Sequence, residues 1–382
     1  MPDTIEPFTI HVDDAVLADL DARLARTRFP DQIADTGWEY GTPVDYVREL
    51  VEYWRNGYDW RAEEARLNGF DHFRTSIDGQ SIHFVHARSP NPDAFPLLIM
   101  HGWPGSVVEF LDVIPRLTDP EAHGGRADDA FHVIAPSLPG YGFSETTRTT
   151  GWDIQRVAGA FIDLMARLGY ARYGAQGGDW GAQIATRVAA LDVEHCAALH
   201  LNMAIAGPPN DPVTLTDEEQ ADLALMARFQ REGGGYAQVQ GTVPQTLGLA
   251  LNDSPAGLLS WIVEKFRAWS DCDGDPESVF TRDQLLTNVM VYWVTQTITS
   301  SARLYWETMH SGALQDAPAF VAAPTGVARY PKEEILRFPR SWIEQRYHVT
   351  HWAVMPRGGH FAAMEQPELF VDDLRAFFRT VR

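Results

Sequence analysis

The residues Gly177-Gly178-Asp179-Trp180-Gly181 stand where a short apolar run ends and a helical pattern begins. Glycines two positions before and two after a central residue are what a sharp strand-to-helix turn requires. They let the backbone pass close to its neighbours while the central side chain is thrust out above a sheet. Read chemically, this is a nucleophile elbow with Asp179 in place of the more usual serine. A carboxylate in that position can attack saturated carbon in line and leave a covalent ester. The competing reading is a plain helix start, because Asp is a good N-cap and Gly is common in such turns. Five residues do not decide between the two.

Two further stretches favour chemistry. His101-Gly102-Trp103-Pro104-Gly105 follows the apolar run Leu97–Met100. It places the backbone N–H of Trp103 where a developing oxyanion needs a donor, and the N–H of Trp180, directly after Asp179, supplies another. His101 is expected to be a structural residue of this loop. Near the end of the chain, Gly358-Gly359-His360-Phe361 follows a strand-like segment and precedes the last helical pattern, which suits His360 as a general base. The thirteen histidines include no His-Glu-x-x-His and no paired metal spacing. His83 and His86, three apart on an expected strand, point to opposite faces. Neither a metal nor an organic cofactor is expected. Gly-x-Ser-x-Gly is absent, and Gly142-Phe143-Ser144 lies in a turn without the downstream glycine of an elbow.

The elements that must position these residues follow from periodicity. Residues 1–80 are aromatic-rich and predict helices over Val12–Ala25 and Val44–Trp54, with no useful strand alternation. Residues 81–207 alternate strands (Ser81–His86, Leu97–Met100, Phe131–Ala135, Ala171–Gln176, Cys196–Leu201) with helices (Ile154–Leu168, Gln183–Leu191), the texture of an α/β domain. Residues 208–310 read as a mainly helical insertion. Strands resume at Ala319–Ala323 and His351–Met355 within 311–382, and a helix over Pro367–Val381 closes the chain.

Composition excludes several classes. With 31 Lys and Arg against 52 Asp and Glu, the formal net charge is −21, which disfavours nonspecific binding to nucleic acid or anionic lipid. Two cysteines, Cys196 and Cys272, cannot build a secreted-type disulfide framework. No run of about 18 apolar residues occurs, and the first residues carry no basic and apolar leader pattern. A cytoplasmic protein without a membrane anchor is the expectation. Oligomeric state is not legible in the chain, and a homodimer is the option kept open.

At this point the chain resembles an epoxide hydrolase of the microsomal type, a branch of the α/β-hydrolase fold with an extra N-terminal domain. The resemblance runs over almost the whole chain. It is carried most specifically by His101–Ser106, the Asp179 elbow, Leu251-Asn252-Asp253-Ser254-Pro255, Leu286-Thr287-Asn288-Val289-Met290, Pro324-Thr325-Gly326 and Arg357–Ala363. It implies an α/β-hydrolase fold with a helical lid and an N-terminal extension. It makes Asp179 the nucleophile and His360 the base. The triad acid falls nine residues after Pro324, at Glu333, with Glu334 adjacent as the alternative. Tyr236 and Tyr305, on the lid, would bind the epoxide oxygen, while the amides of Trp103 and Trp180 hold the oxyanion. The expected partner is a small-molecule epoxide, with an aromatic or lipophilic one preferred for the many Trp, Tyr and Phe residues. A haloalkane dehalogenase shares the Asp nucleophile and often the following Trp. A non-catalytic scaffold of the same fold is the rival from another class.

Overall fold

Leu97, Leu98, Ile99 and Met100 are each at most 1% exposed, the burial of a strand covered on both faces. They belong to β4 of nine strands: β1 (Ile5–Phe8), β2 (His72–Ile77), β3 (Gln80–Ala87), β4 (Phe95–Met100), β5 (Phe131–Pro136), β6 (Tyr173–Gly177), β7 (Cys196–Leu201), β8 (Val321–Arg329) and β9 (Tyr347–Val354). The computed structural model describes residues 4–209 and 213–382. Residues 210–212, near the expected start of the helical insertion at 208, lie outside the described residues. Among the described residues the strands form one sheet in the order β1-β2-β3-β5-β4-β6-β7-β8-β9. The β1-β2, β2-β3 and β3-β5 pairs are antiparallel, and every pair from β5 to β9 is parallel.

Register matters more than strand count. Met100 pairs with Gly177, and Gly177 with Leu201, so β4, β6 and β7 end level. The loops leaving their C-terminal ends therefore meet at one place. In open α/β sheets, ligands bind in the crevice outside those ends. The helices between β7 and β8 (Asp217–Glu232, Gly235–Thr242, Pro244–Leu251, Pro255–Trp269, Arg282–Thr295 and Ile298–His310) form the expected insertion.

Three local readings change. β1 and β2 lie within the segment read as helical, beside helices Asp14–Leu24, Val44–Asn56 and Trp60–Leu67. β2 escaped notice because the side chains it buries are His72, Thr75 and Ile77, so apolar alternation is missing. His72 Nδ1 bonds His83 Nε2 across the β2–β3 pair at 2.8 Å, a polar pairing that hydropathy does not register. The helix expected from Gln183 begins at Asp179 itself, because tertiary contacts rather than helix propensity hold its first turn. β8 extends to Arg329, well past the expected Ala323.

Burial also ties the insertion to the sheet. Asp222, on helix Asp217–Glu232, is buried and accepts bonds from Arg329, at the end of β8, and from Arg337 Nε at 2.8 Å. Arg337 Nη1 in turn donates to the carbonyls of Tyr330, Pro331 and Glu333 at 3.2, 3.0 and 3.3 Å, gathering the loop that carries Glu333. Removing one member of such a cluster leaves buried charge uncompensated. Asp222→Ala is expected to lower unfolding free energy by about 3–5 kcal/mol, read from urea denaturation midpoints. A change below about 1 kcal/mol, the range of exposed pairs, would contradict the anchoring role.

Candidate active site

Asp179 follows β6 at the first position of helix Asp179–Leu191, with φ of +50°. That left-handed conformation is unusual for a non-glycine residue and is tolerated best by Asp and Asn. The flanking glycines are required by contact. A Cβ at Gly177 would lie 2.2 Å from the Gly181 carbonyl oxygen, and one at Gly181 would lie 2.2 Å from that of Met100. A Cβ at Gly102 would come within 2.1 Å of Asp179 Oδ1. The carboxylate thus rests on the bare backbone leaving β4.

There the Trp103 N–H donates to Asp179 Oδ1 at 2.8 Å, and the Trp180 amide contributes as well. His360 Nε2 lies 3.5 Å from the other oxygen, Oδ2. Burial raises the Asp179 pKa above its ordinary value, while His360 and the two amides oppose that rise. Behind the imidazole, Nδ1 bonds Glu333 Oε2 at 2.6 Å. Burial works to lower the His360 pKa, but Glu333 outweighs it, with help from Asp179 and Glu109, and the net value is raised to about 9. Glu334 points elsewhere and pairs with Arg228 at 2.7 Å on the surface. Geometry therefore separates the two adjacent glutamates.

The loop bearing His360 is held from two sides. Its backbone N–H donates to the Trp269 carbonyl at 2.9 Å, and a Cβ at Gly359 would meet that same oxygen at 2.5 Å. The buried Glu365 carboxyl accepts the amides of Asp271, Gly359 and Phe361 at 2.8, 3.0 and 2.9 Å.

Above the carboxylate, the insertion supplies rings. Tyr236 stacks on Trp103 with centroids 5.1 Å apart and planes 10° from parallel, and Tyr305 meets Trp180 edge-on at 4.7 Å. The two tyrosine rings are 5.9 Å apart. Their helices can approach because Gly241 faces Met309 of helix Ile298–His310, where a Cβ would come within 2.3 Å, and the neighbouring helix Pro244–Leu251 packs on the same helix through Gly248, where a Cβ would come within 2.1 Å of Thr299. Burial, then the charge of Asp179 for Tyr236 and those of Tyr236 and Asp179 for Tyr305, pushes both phenols up, so they are neutral donors. The Tyr305 hydroxyl lies within range of Tyr236 and the Trp180 indole but in hydrogen-bond geometry with neither. All seven residues singled out in the sequence thus converge. His101 does not join them: its Nε2 accepts the Leu138 N–H and its Nδ1 donates to Gly102 O, as expected of a structural residue.

Comparison with known proteins gives the arrangement a family. The model for the epoxide hydrolase N terminus matches residues 5–110, and that for the alpha/beta hydrolase fold matches residues 96–366. The chain is 39% identical to Epoxide hydrolase 1 of Sus scrofa over 405 residues, covering 98% of this chain and 88% of that one. It is also 49% identical over 380 residues to a Stigmatella aurantiaca protein that carries the provisional name of epoxide hydrolase, covering 99% of this chain and 86% of that one. The chain belongs to the epoxide hydrolases. The crystal structure of juvenile hormone epoxide hydrolase from Bombyx mori superposes with a TM-score of 0.92 at 34% identity, covering 100% of this chain and 95% of that one. No described helix of this epoxide hydrolase is long and apolar enough to cross a membrane.

The epoxide hydrolase site also depends on residues that sequence reasoning did not assign. Asn288, on helix Arg282–Thr295, donates to Pro104 O at 2.7 Å and accepts from Ser106 Oγ at 2.8 Å, and Tyr292 donates to Gly105 O at 2.7 Å. The insertion therefore pins the loop that presents the Trp103 amide. Asn288 lies in one of the stretches that carry the family resemblance, but nothing local announces its partner 184 positions away. Arg337, Trp269 and Glu365 gave no sequence signal. The Glu333–Glu334 distinction yields a direct check. Glu333→Gln removes the charge that holds His360 protonated, so an NMR titration of His360 is expected to show its pKa falling from about 9. Glu334→Gln should leave that titration in place. A shift with the Glu334 variant would reverse the assignment.

Proposed function

We propose that this epoxide hydrolase converts its substrate to a vicinal diol in two covalent steps, with Asp179 as nucleophile. The observation that carries the reading is the division of the Asp179 carboxylate: Oδ1 accepts the Trp103 amide, while Oδ2 is the oxygen that lies 3.5 Å from His360 Nε2. In the first step Oδ2 attacks an epoxide carbon and the C–O bond of the ring breaks. The oxygen becomes an alkoxide, hydrogen-bonded and then protonated by Tyr236 or Tyr305. Desolvation sharpens both events, since a partly dried carboxylate is a stronger nucleophile and a phenol donor is worth more in low dielectric.

In the second step neutral His360 takes a proton from water, and the hydroxide attacks the ester carbonyl carbon of Asp179. The amides of Trp103 and Trp180 hold the resulting oxyanion. Collapse expels the diol oxygen, which takes the proton from His360, and the Asp179 carboxyl then returns its own proton to His360, restoring the resting charges. The charges order the steps. Asp179 is one of the groups that keep His360 protonated, and esterification removes its charge. When the ester forms, the proton His360 releases restores the phenol that protonated the alkoxide, and the base is free. Glu333 holds the Nδ1 proton and so fixes the tautomer whose Nε2 accepts.

The cluster of rings formed by Trp103, Trp180, Tyr236, Trp269 and Tyr305 beside Asp179 supports an aromatic or otherwise bulky lipophilic epoxide as substrate. A cytoplasmic setting is supported by two buried free thiols, Cys196 and Cys272.

Single-turnover hydrolysis in heavy-oxygen water is expected to place label in the Asp179 carboxylate, read by peptide mass spectrometry. Label confined to the diol would mean direct attack by water. His360→Ala should accumulate the ester as an intact-mass adduct, because only the second step needs the base. Charge-assisted hydrogen bonds are worth about 1.5–3 kcal/mol. Tyr236→Phe or Tyr305→Phe alone should therefore slow ester formation from an aryl epoxide by about one to two orders of magnitude. The double variant should nearly abolish it. Wild-type ester formation in the double variant, or dominant bromide release from a bromoalkane, would remove the tyrosines from this role.

A further inference from the structure

A small cavity adjoins Asp179, and its walls include neither tyrosine. It is a cavity of about 20 Å³ bordered by Asp179, His360, Glu109, Gln176, Asn202 and Gly105, among others. A cavity of that size has room for a single water. Gln176 is 1% exposed, and its Oε1 has no hydrogen-bond partner among the described residues, although its Nε2 donates to Asn202 at 2.9 Å. Glu109 lies deep in the protein yet keeps accessible surface, and its carboxyl is influenced by burial and neighbouring charges but by no hydrogen bond. Two polar groups lining the cavity thus lack hydrogen-bond partners among the described residues, which is costly in low dielectric unless a water serves them.

The position of Glu109 is built. It lies in the 3-10 turn Val107–Phe110, capped by Ser106, whose hydroxyl is bonded to Asn288. Its Oε1 rests against Gly105, where a Cβ would come within 1.6 Å. The last glycine of His101-Gly102-Trp103-Pro104-Gly105 therefore leaves room for this carboxyl.

We propose that Glu109, together with Gln176, holds the hydrolytic water in this cavity, between His360 and the carboxyl carbon of Asp179, and so acts as a positioning residue for the second step. The inference rests on the two-step reading above and assigns its water a place. In the resting enzyme the water donates to the acceptors on Glu109 and Gln176. Once the ester forms and His360 is neutral, one O–H turns to Nε2, the other stays on Glu109, and a lone pair faces the ester carbon. The proton goes to Nε2, the oxygen bonds to Cγ of Asp179, and Glu109 neither gains nor loses a proton. Its neutral form suits that task, since an anion beside a developing hydroxide would repel it. Burial pushes the Glu109 carboxyl up to about 8; His360 opposes the rise, and Asp179 and Glu365 add to it. The phenol of Tyr292 also faces it and is pushed up by burial and then by the Glu109 charge.

Rapid-quench kinetics on the full-length enzyme, following the ester by intact mass, separates the steps. Glu109→Ala is expected to form ester within about threefold of the wild-type rate, which also reports a folded site, and to hydrolyse it about 30- to 100-fold more slowly, the scale of a misplaced reactant. Glu109→Gln keeps a neutral acceptor of the same shape and should recover at least about tenfold of that loss, the worth of roughly one hydrogen bond. The proposal is overturned if Glu109→Ala hydrolyses the ester at the wild-type rate, if both steps slow equally, or if the Gln variant is as slow as the Ala variant. Absence of any ester in the wild type would remove the two-step reading and this inference with it. Wild-type hydrolysis in Glu109→Ala removes this inference alone.

Discussion

A carboxylate taken out of water at the end of a parallel sheet is unstable unless dipoles and an opposite charge are fixed around it before it arrives. Much of this epoxide hydrolase can be understood as the means of holding Asp179 in that condition. The level ends of β4 and β6 bring two loops together, and the bare backbone at Gly102 lets the carboxylate lie against one of them. The Trp103 amide and the imidazole of His360 then offset part of the desolvation without ending it, and the Asp179 pKa stays above normal. That residual cost suits the proposed role of Asp179, because a nucleophile held by few donors has less to lose when it reacts.

The same constraint explains why the helical insertion is coupled to the sheet by polar contacts. Asn288 and Tyr292 grip the carbonyls of Pro104 and Gly105, so the amide that faces Asp179 is positioned by a helix far along the chain. Asp222 grips Arg337, which gathers the carbonyls of the Glu333 loop. Apolar packing alone tolerates sliding, whereas a bonded carbonyl does not. The tyrosines ride on helices of this insertion. The groups proposed to open the ring and those proposed to hydrolyse the ester are therefore held in one frame.

The charges around His360 form a small coupled system. Glu333 and Asp179 raise its pKa against burial, Glu109 adds to this only where it is ionised, and of the first two only Asp179 changes charge in the proposed chemistry. In the proposed mechanism a base surrounded this way is protonated while Asp179 is free and is released when Asp179 is esterified.

Local sequence determined a good deal of this. Glycine spacing around Asp179 and the apolar runs of β4 and β7 could be read directly, because steric demands at a sharp turn and burial on both faces act within a few residues. Trp103 and Trp180 were legible for the same reason, lying one step from a strand end or from the nucleophile. His360 was legible from its glycine-rich loop between the last strand and the last helix, and the resemblance to a known family located Glu333, Tyr236 and Tyr305. Only the tertiary structure separated Glu333 from Glu334, since the two differ in direction and not in local pattern, one reaching His360 and the other Arg228. β2 was hidden because it buries His72 against His83, a stabilisation that depends on a partner strand. Asn288, Arg337 and Glu109 were silent for a related reason: a polar side chain acquires its meaning from the carbonyl, charge or cavity it meets, and those neighbours are chosen by folding.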